Sequence, residues 1–158
     1  MKNVLFLCTG NSCRSILAEA LLRHHGKDRF RSFSAGSSPT GKVHPLSLET
    51  LRRHGINPLG FESKGWDTFK DVDFDIVITV CDNAAGETCP IFPGSPVKGH
   101  WSTPDPAHFQ GTRQETEAEF DRVFGILERR IKAMVGLPME NLDREELRRR
   151  LDEIGNLA

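Results

Sequence analysis

A cysteine and an arginine enclose a short polar segment near the start of the chain, in the run CTGNSCRS that begins at Cys8. The apolar run VLFL before Cys8 predicts a strand buried on both faces. Helical spacing after Ser15 predicts a helix that begins there. Backbone N–H groups from a turn and a helix N-terminus bind anions, and the planar Arg14 guanidinium suits a tetrahedral oxyanion. The segment therefore predicts an oxyanion site with a thiol at its base.

The thiol of Cys8 admits two interpretations. An anion site favours the thiolate, because a helix N-terminus and a neighbouring arginine both stabilise negative charge, and a thiolate is a nucleophile. The alternative is a buried structural cysteine at a strand end, which is the commoner fate of a cysteine. The position of the CTGNSCRS segment between strand and helix favours the nucleophile.

A second strand is predicted for FDIVITV, and it also ends at a cysteine, Cys81. In an open parallel sheet the active crevice lies beyond the carboxyl ends of the strands, so Cys8 and Cys81 can face one site. The following segment, DNAAGET, predicts a short weak helix or a loop that would let Cys89 approach Cys81.

The chain has four cysteines in two pairs, Cys8 with Cys13 and Cys81 with Cys89. In a reducing compartment such pairs indicate redox chemistry or metal binding before structural disulfides. Four residues separate the first pair and seven the second, a poor match to zinc ligands, and Arg14 beside Cys13 would repel a cation. We therefore expect redox chemistry and no metal.

Asp105 stands between two prolines, after a strand predicted from Val97 to Trp101. A carboxyl group on a rigid loop beyond a strand end can act as a general acid for a leaving oxygen. Aspartate between prolines is also a common turn former, and spacing alone leaves both roles open.

Other elements must position these groups. A further strand is predicted from Phe30 to Ser34, and helices are predicted from His44-Pro45 to Gly55, from Thr112 to about residue 135 and from Asp143 to Gly155. Thr112 with Glu115 predicts a capping box. The segment from Lys64 to Phe69 is ambiguous, with a short helix as one interpretation. The chain has 158 residues with no visible linker or repeat, which predicts a single catalytic domain over residues 1–158.

Charge and composition exclude some classes of function. The formal net charge is -1, with 21 basic and 22 acidic residues, which favours a small substrate over nucleic acid or an acidic membrane. The apolar run after Met1 and Lys2 is too short for a signal peptide or a membrane span, so we expect a cytoplasmic protein. The six histidines show no metal-ligand spacing.

The run CTGNSCRS, the later Asp105-Pro106 and the alternation of strands and helices resemble the low-molecular-weight phosphotyrosine phosphatases. They are more closely similar to the arsenate reductases built on that fold. The resemblance extends to about Val135 and implies an α/β three-layer sandwich. In the implied fold, a central parallel sheet of about four strands carries helices on both faces. Residues from about 138 to 158 are expected to form a C-terminal helical extension.

Two features resemble the reductase branch. A phosphatase does not need Cys81 and Cys89, and phosphatases of this fold tend to carry tyrosines after the aspartate-proline pair, whereas this chain has no tyrosine. The resemblance thus implies an arsenate reductase. The alternative is a low-molecular-weight protein-tyrosine phosphatase that acts through a phosphocysteine, and a reductase with residual phosphatase activity is compatible with both. A metal-binding or arsenic-sensing module with soft cysteine ligands is a third hypothesis.

The resemblance also implies roles for individual residues. Cys8 would attack arsenate held by the loop N–H groups and Arg14, while Asp105 protonates the departing oxygen. Cys81 would then attack Cys8, and Cys89 would attack Cys81 to carry the disulfide outward. The implied oxyanion-binding residues are Thr9, Gly10, Asn11, Ser12, Cys13 and Arg14.

Supporting residues and partners follow from the same resemblance. Ser15 would hydrogen bond Cys8, and Asn11 would hold the loop, while Asn11, Glu19 and Ser34 match positions that help bind potassium in some relatives. No bound cofactor is expected, and phosphate or sulfate should mimic arsenate. The external reductant is thioredoxin or a glutathione and glutaredoxin system, since seven residues separate the second cysteine pair instead of the usual six. We expect a monomer with no nucleic-acid or membrane partner.

Overall fold

Four parallel strands form the central sheet of the computed structural model, which describes residues 1–81 and 94–158. The strands are β1 (Lys2–Cys8), β2 (Phe30–Gly36), β3 (Ile76–Thr79) and β4 (Val97–His100), in the spatial order β2-β1-β3-β4. Because β1 lies inside the sheet and pairs in parallel with both β2 and β3, the carboxyl ends of these strands meet at one edge. The predicted parallel sheet of about four strands is confirmed.

The helices of the described residues are α1 (Arg14–His25), α2 (Pro45–Arg53), α3 (Arg113–Val135) and α4 (Arg144–Ile154). Short 3-10 helices span Trp66–Phe69, Pro106–His108 and Met139–Asn141. The predicted capping box is present at the start of α3, where Thr112 and Glu115 bond each other's backbone N–H groups. Within residues 1–81 and 94–158, no helix combines the length and apolar character needed to cross a membrane.

The alternating side chains of β1 enter two apolar clusters. Val4 and Phe6 pack in the larger cluster, together with side chains from α1, α3 and α4. Leu5 and Leu7 belong to the smaller one, which the 3-10 helix Trp66–Phe69 covers. The weak helix or loop predicted for the segment after Cys81 lies outside the described residues.

The last helix covers the edge strand β4. Trp101, which is fully buried, donates its indole N–H to Leu151 O at 2.9 Å. Gly155 approaches so closely that an added Cβ would lie 2.7 Å from His100 O. These contacts fix α4 against the edge strand, on which Val97 is buried and Lys98 stays exposed.

Candidate active site

Cys8 lies at the carboxyl end of β1, with 3% of its surface exposed. Its Sγ is 2.9 Å from Ser15 Oγ, and the backbone N–H of Asn11 donates to the same sulfur at 3.3 Å. Ser15 Oγ itself accepts from Asn11 Nδ2 at 2.8 Å, so its hydroxyl hydrogen is free to point at the sulfur. The strand end thus presents a thiol to the turn that follows it.

The turn after Cys8 is held by its carbonyl groups. Gly10 O accepts from Thr40 N at 3.0 Å and from Ser63 Oγ at 3.0 Å. Ser12 O accepts from the backbone N–H of His44 at 3.1 Å and from the Ser47 hydroxyl at 2.9 Å. The carbonyl groups therefore point into the protein.

The backbone N–H groups of the same turn remain available to an anion. Among residues 1–81 and 94–158, none of these groups at Gly10, Ser12, Cys13 or Arg14 has an acceptor within hydrogen-bonding distance. Successive N–H groups that lead into a helix N-terminus form a concave anion site. This arrangement suits a tetrahedral oxyanion placed above Cys8.

Asn11 determines the course of the turn. Its φ is 47°, a left-handed conformation that asparagine tolerates better than most residues. The side chain is fully buried, and its Oδ1 accepts from Lys64 N at 2.8 Å. Its Nδ2 donates to Ser15 Oγ at 2.8 Å and to Ser34 Oγ at 3.0 Å. These bonds hold both the turn and the hydroxyl that contacts Cys8.

Glu19 lies behind Asn11 as a buried carboxyl group. Ser34 Oγ donates to Glu19 Oε1 at 2.5 Å, and Arg23 Nη2 lies 2.6 Å from Oε2. Burial raises the pKa of Glu19, while the Ser34 hydrogen bond and the charges of Lys64 and Arg23 act in the opposite direction. This carboxyl group is therefore enclosed by protein donors.

The residues predicted to bind potassium lie together, but their atoms are already engaged. Asn11 presents its amide nitrogen to Ser34, its oxygen accepts from Lys64, and both oxygens of Glu19 have protein donors. Because these atoms already have protein partners, no chemical step is assigned to potassium, and the potassium site stays a prediction. Across residues 1–81 and 94–158, no cluster of three His, Cys, Asp or Glu side chains could hold a metal ion.

Arg14 contacts the loop after β4, which is distant from it in the sequence. Its Nη1 donates to Thr103 O at 3.1 Å, and its Nη2 lies 3.4 Å from Asp105 Oδ2. Asp105 Oδ1 also accepts from Ala107 N at 3.0 Å, at the start of the 3-10 helix Pro106–His108. Asp105 is thus a turn former that also contacts Arg14. Its role in the turn is compatible with the predicted role as a general acid.

Cys81 lies beside the turn that follows Cys8. Its Sγ lies 3.5 Å from Thr9 Oγ1, and Thr9 directly follows Cys8. Cys81, Arg14 and Asp105 line one open groove of about 560 Å³, together with Ser102, Thr103, Pro104 and His108. The sheet therefore brings a second thiol beside the turn. Cys89 lies outside the described residues.

Cys13 differs from the other thiols. It is 3% exposed, and burial raises its pKa to about 11, although hydrogen bonds from Ser47 and Ser12 act in the opposite direction. A thiol with this pKa is protonated at neutral pH and is a poor nucleophile. Cys13 can therefore offer an oxyanion its backbone N–H, whereas its sulfur stays protonated.

Sequence reasoning missed two residues near this groove. His108 Nδ1 lies 3.3 Å from Asp105 Oδ2, whereas the sequence pattern assigned no role to any histidine. Arg130 is buried on α3 and bonds Ser102 and Thr103. One signal could have revealed Arg130, because it stands between Leu127 and Ile131 on the apolar face of its helix.

Comparisons with known proteins agree on the fold. The family model of the low molecular weight phosphotyrosine protein phosphatases matches residues 3–149. An arsenate reductase of Bacillus licheniformis is 38% identical over 131 residues, which cover 83% of this chain and 93% of the relative. An arsenate reductase of Bacillus subtilis is 36% identical over 131 residues, with the same coverage.

Solved structures give the same result. A structure described as "An arsenate reductase in the phosphate binding state" superposes with a TM-score of 0.70 at 29% identity, covering 85% of this chain and 97% of the other. A thioredoxin-dependent arsenate reductase of Corynebacterium glutamicum superposes with a TM-score of 0.58 at 31% identity, covering 84% of this chain and 62% of the other. The expected α/β fold is confirmed.

Proposed function

Because this chain belongs to the low molecular weight phosphotyrosine protein phosphatase family, we propose that it uses the oxyanion turn of that family to reduce arsenate to arsenite. Its curated relatives at 36% and 38% identity are arsenate reductases. One observation carries the choice of reduction over hydrolysis: Cys81 Sγ lies 3.5 Å from Thr9 Oγ1, beside the nucleophilic turn. Hydrolysis of a phosphate ester requires no second thiol, whereas a two-electron reduction does.

The first step is nucleophilic attack by the Cys8 thiolate on arsenic. A sulfur–arsenic bond forms and an arsenic–oxygen bond breaks, while Asp105 delivers a proton so that the oxygen leaves as water. The loop N–H groups and Arg14 stabilise the negative charge on the remaining oxygens. The 3.4 Å separation of Arg14 and Asp105 supports this assignment, since both groups must contact one tetrahedral ion.

Reduction occurs in the second step. The Cys81 thiolate attacks Cys8 Sγ, a disulfide forms, and the electron pair of the sulfur–arsenic bond stays on arsenic, which leaves as arsenite. Cys89 then attacks Cys81, which releases the Cys8 thiolate. An external dithiol finally reduces the Cys81–Cys89 disulfide and is itself oxidised. The role of Cys89 rests on its place in the sequence after Cys81.

We propose thioredoxin as the external reductant. A structurally similar arsenate reductase from Corynebacterium glutamicum is thioredoxin-dependent, which supports this choice over a glutathione and glutaredoxin system. We further propose that the chain acts as a monomeric, single catalytic domain in the cytoplasm, with phosphate and sulfate as inhibitory mimics of arsenate.

The function is tested by arsenate-dependent NADPH consumption, with thioredoxin and glutaredoxin systems supplied separately. We expect Cys81→Ser and Cys89→Ser to stop multiple turnover while hydrolysis of p-nitrophenyl phosphate continues, and Cys8→Ser to abolish both activities. Cys13→Ser is the matched control, because its thiol is buried and protonated. Full turnover of the Cys89→Ser protein would refute the three-cysteine relay.

The phosphatase alternative predicts a different pattern in the same assays. Hydrolysis of aryl phosphates would then proceed far faster than arsenate reduction, and substitution of Cys81 would change neither rate. Such a result would assign the turn to phosphoryl transfer and would leave the position of Cys81 without a catalytic role.

A further inference from the structure

Arg130 is a buried arginine without a carboxylate partner in residues 1–81 and 94–158. It is 6% exposed, on the face of α3 that packs against the sheet, and its recorded contacts are all to uncharged oxygens. Its Nη1 donates to Ser102 O at 3.0 Å and to Thr103 Oγ1 at 3.1 Å, and its Nε donates to Leu157 O at 2.9 Å. A buried charge is costly unless its hydrogen bonds are satisfied, so these contacts constrain the geometry around it.

The bonds of Arg130 converge on the loop that carries Asp105. Thr103 Oγ1 accepts from Arg130 and itself donates to Trp101 O at 2.7 Å. On its other side, Thr103 O accepts from Arg14 Nη1 at 3.1 Å. Thr103 is therefore held between two guanidinium groups, one buried in the protein and one at the oxyanion site. A shift of this residue would move Arg14 and Asp105 together.

The C-terminal segment supplies the third acceptor of Arg130. Leu157 follows α4, which packs on β4 through the bond from Trp101 Nε1 to Leu151 O. The neighbouring Arg129 is exposed and also contacts the C-terminal segment, since its Nε donates to Ala158 O at 2.5 Å. Among the described residues, Arg129 makes no hydrogen bond or ion pair with the Asp105 loop. A comparison of variants at Arg129 and Arg130 therefore distinguishes the loss of C-terminal contacts from the loss of contacts with the loop.

We propose that Arg130 is a positioning residue for the proposed oxyanion chemistry. It holds Ser102 and Thr103 so that Arg14 and Asp105 face the substrate, and the C-terminal segment completes its hydrogen bonds through Leu157. The proposal rests on the oxyanion site at Cys8 and Arg14, but it does not require that the oxyanion be arsenate. A displacement of catalytic groups by about 1 Å can lower a rate on the order of 100-fold.

The test compares Arg130→Met with Arg129→Met. We measure the Kd for inorganic phosphate by calorimetry, and kcat and KM across pH with both arsenate and p-nitrophenyl phosphate. Arg130→Met should weaken phosphate binding about 10-fold and lower kcat on the order of 10- to 100-fold with a changed pH profile, because Arg14 and Asp105 are displaced. Arg129→Met should stay within about twofold of the wild type, as expected for an exposed residue away from the site.

Thr103→Val gives a second test that keeps the Arg130 guanidinium and its bonds to Ser102 O and Leu157 O. It removes the hydroxyl that accepts from Arg130 but keeps the carbonyl that accepts from Arg14. We expect changes in kcat and phosphate Kd in the same direction as for Arg130→Met, and the double variant should show less than the sum of the two free-energy changes. If Arg130→Met does not fold, Thr103→Val alone decides.

Two results would overturn the proposal. One is a folded Arg130→Met protein whose kcat and phosphate Kd match those of Arg129→Met. The other is a Thr103→Val protein with wild-type kcat, Kd and pH profile. A wild-type protein that binds phosphate and hydrolyses aryl phosphates but does not reduce arsenate would refute the proposed function and leave the role of Arg130 testable by the same variants.

Discussion

Arg14 Nη2 and Asp105 Oδ2 lie 3.4 Å apart, although one residue begins α1 and the other follows β4. Arg14 is therefore in contact with the proposed general acid, and it directly follows the oxyanion turn in the chain. In the proposed mechanism, binding of a substrate oxyanion and protonation of its leaving oxygen depend on this one pair of side chains.

Asp105→Asn should separate these two functions. Asparagine retains an oxygen that can accept from Ala107 N, but it cannot deliver a proton to the leaving oxygen. We expect kcat to fall about 10²- to 10⁴-fold, with phosphate Kd maintained or lowered because a negative charge is removed. The control is Asp121→Asn, which breaks a surface ion pair with Arg53. Equal activity of the two variants would exclude Asp105 as the acid.

Gly36→Ala should distort the oxyanion turn. A Cβ at Gly36 would lie 2.5 Å from Thr9 O and 3.1 Å from Asn11 N, and backbone atoms cannot move aside cheaply. We expect a loss of about 1–3 kcal/mol in the free energy of unfolding, together with weaker phosphate binding. Gly65→Ala is the matched control, because Gly65 pairs with Gly36 but its nearest contact would be 3.7 Å. Urea unfolding and calorimetry would show whether the two variants differ.

Cys13 should resist alkylation in the folded protein. Burial raises its pKa from 9.0 to about 11, which lowers the thiolate fraction at pH 7 about 100-fold, and the sulfur is also shielded from the reagent. In a Cys8→Ser, Cys81→Ser, Cys89→Ser protein, iodoacetamide should label Cys13 rapidly after unfolding in urea and very slowly before. Rapid labelling of the folded protein at pH 7 would contradict the burial of this thiol.

Glu19 should make stability depend on pH. Because its pKa is raised in the folded state, mainly by burial, its contribution is fully present below the unfolded value near 4.5 and is lost as pH rises through the folded pKa. The free energy of unfolding of the wild type, relative to Glu19→Gln, should therefore fall as the pH rises above about 4.5. Urea unfolding at several pH values measures this difference.

Glu119→Gln provides the control for this pH dependence. The hydrogen bond from Arg122 lowers the pKa of Glu119, so its contribution to stability is present above the unfolded pKa and is lost as pH falls. Relative to this variant, the wild type should gain stability with rising pH, opposite to the trend for Glu19. Parallel trends for the two variants would mean that the Ser34 hydrogen bond and the charges of Lys64 and Arg23 outweigh the effect of burial on the pKa of Glu19.

Local sequence predicted most of the strands and α-helices among residues 1–81 and 94–158. Apolar runs indicated β1 and β3, and the capping pair Thr112 and Glu115 indicated the start of α3, because strand burial and helix capping depend on neighbouring residues. The boundaries shifted slightly: β3 spans Ile76–Thr79 within the predicted run, and α1 begins at Arg14. The ambiguous segment before β3 forms the 3-10 helix Trp66–Phe69.

By itself, the sequence predicted a thiol at the base of an oxyanion turn and placed two further cysteines after a later strand, since residue types and spacing are local properties. The tertiary structure decided which distant groups meet there. Parallel pairing of β1 with β3 and β3 with β4 brings Cys81 and Asp105 to the edge where Cys8 lies. The buried Arg130 gains its partners from the loop after β4 and from the C-terminus. Such contacts join residues far apart in the chain, so they depend on strand order and helix packing, which no local pattern encodes.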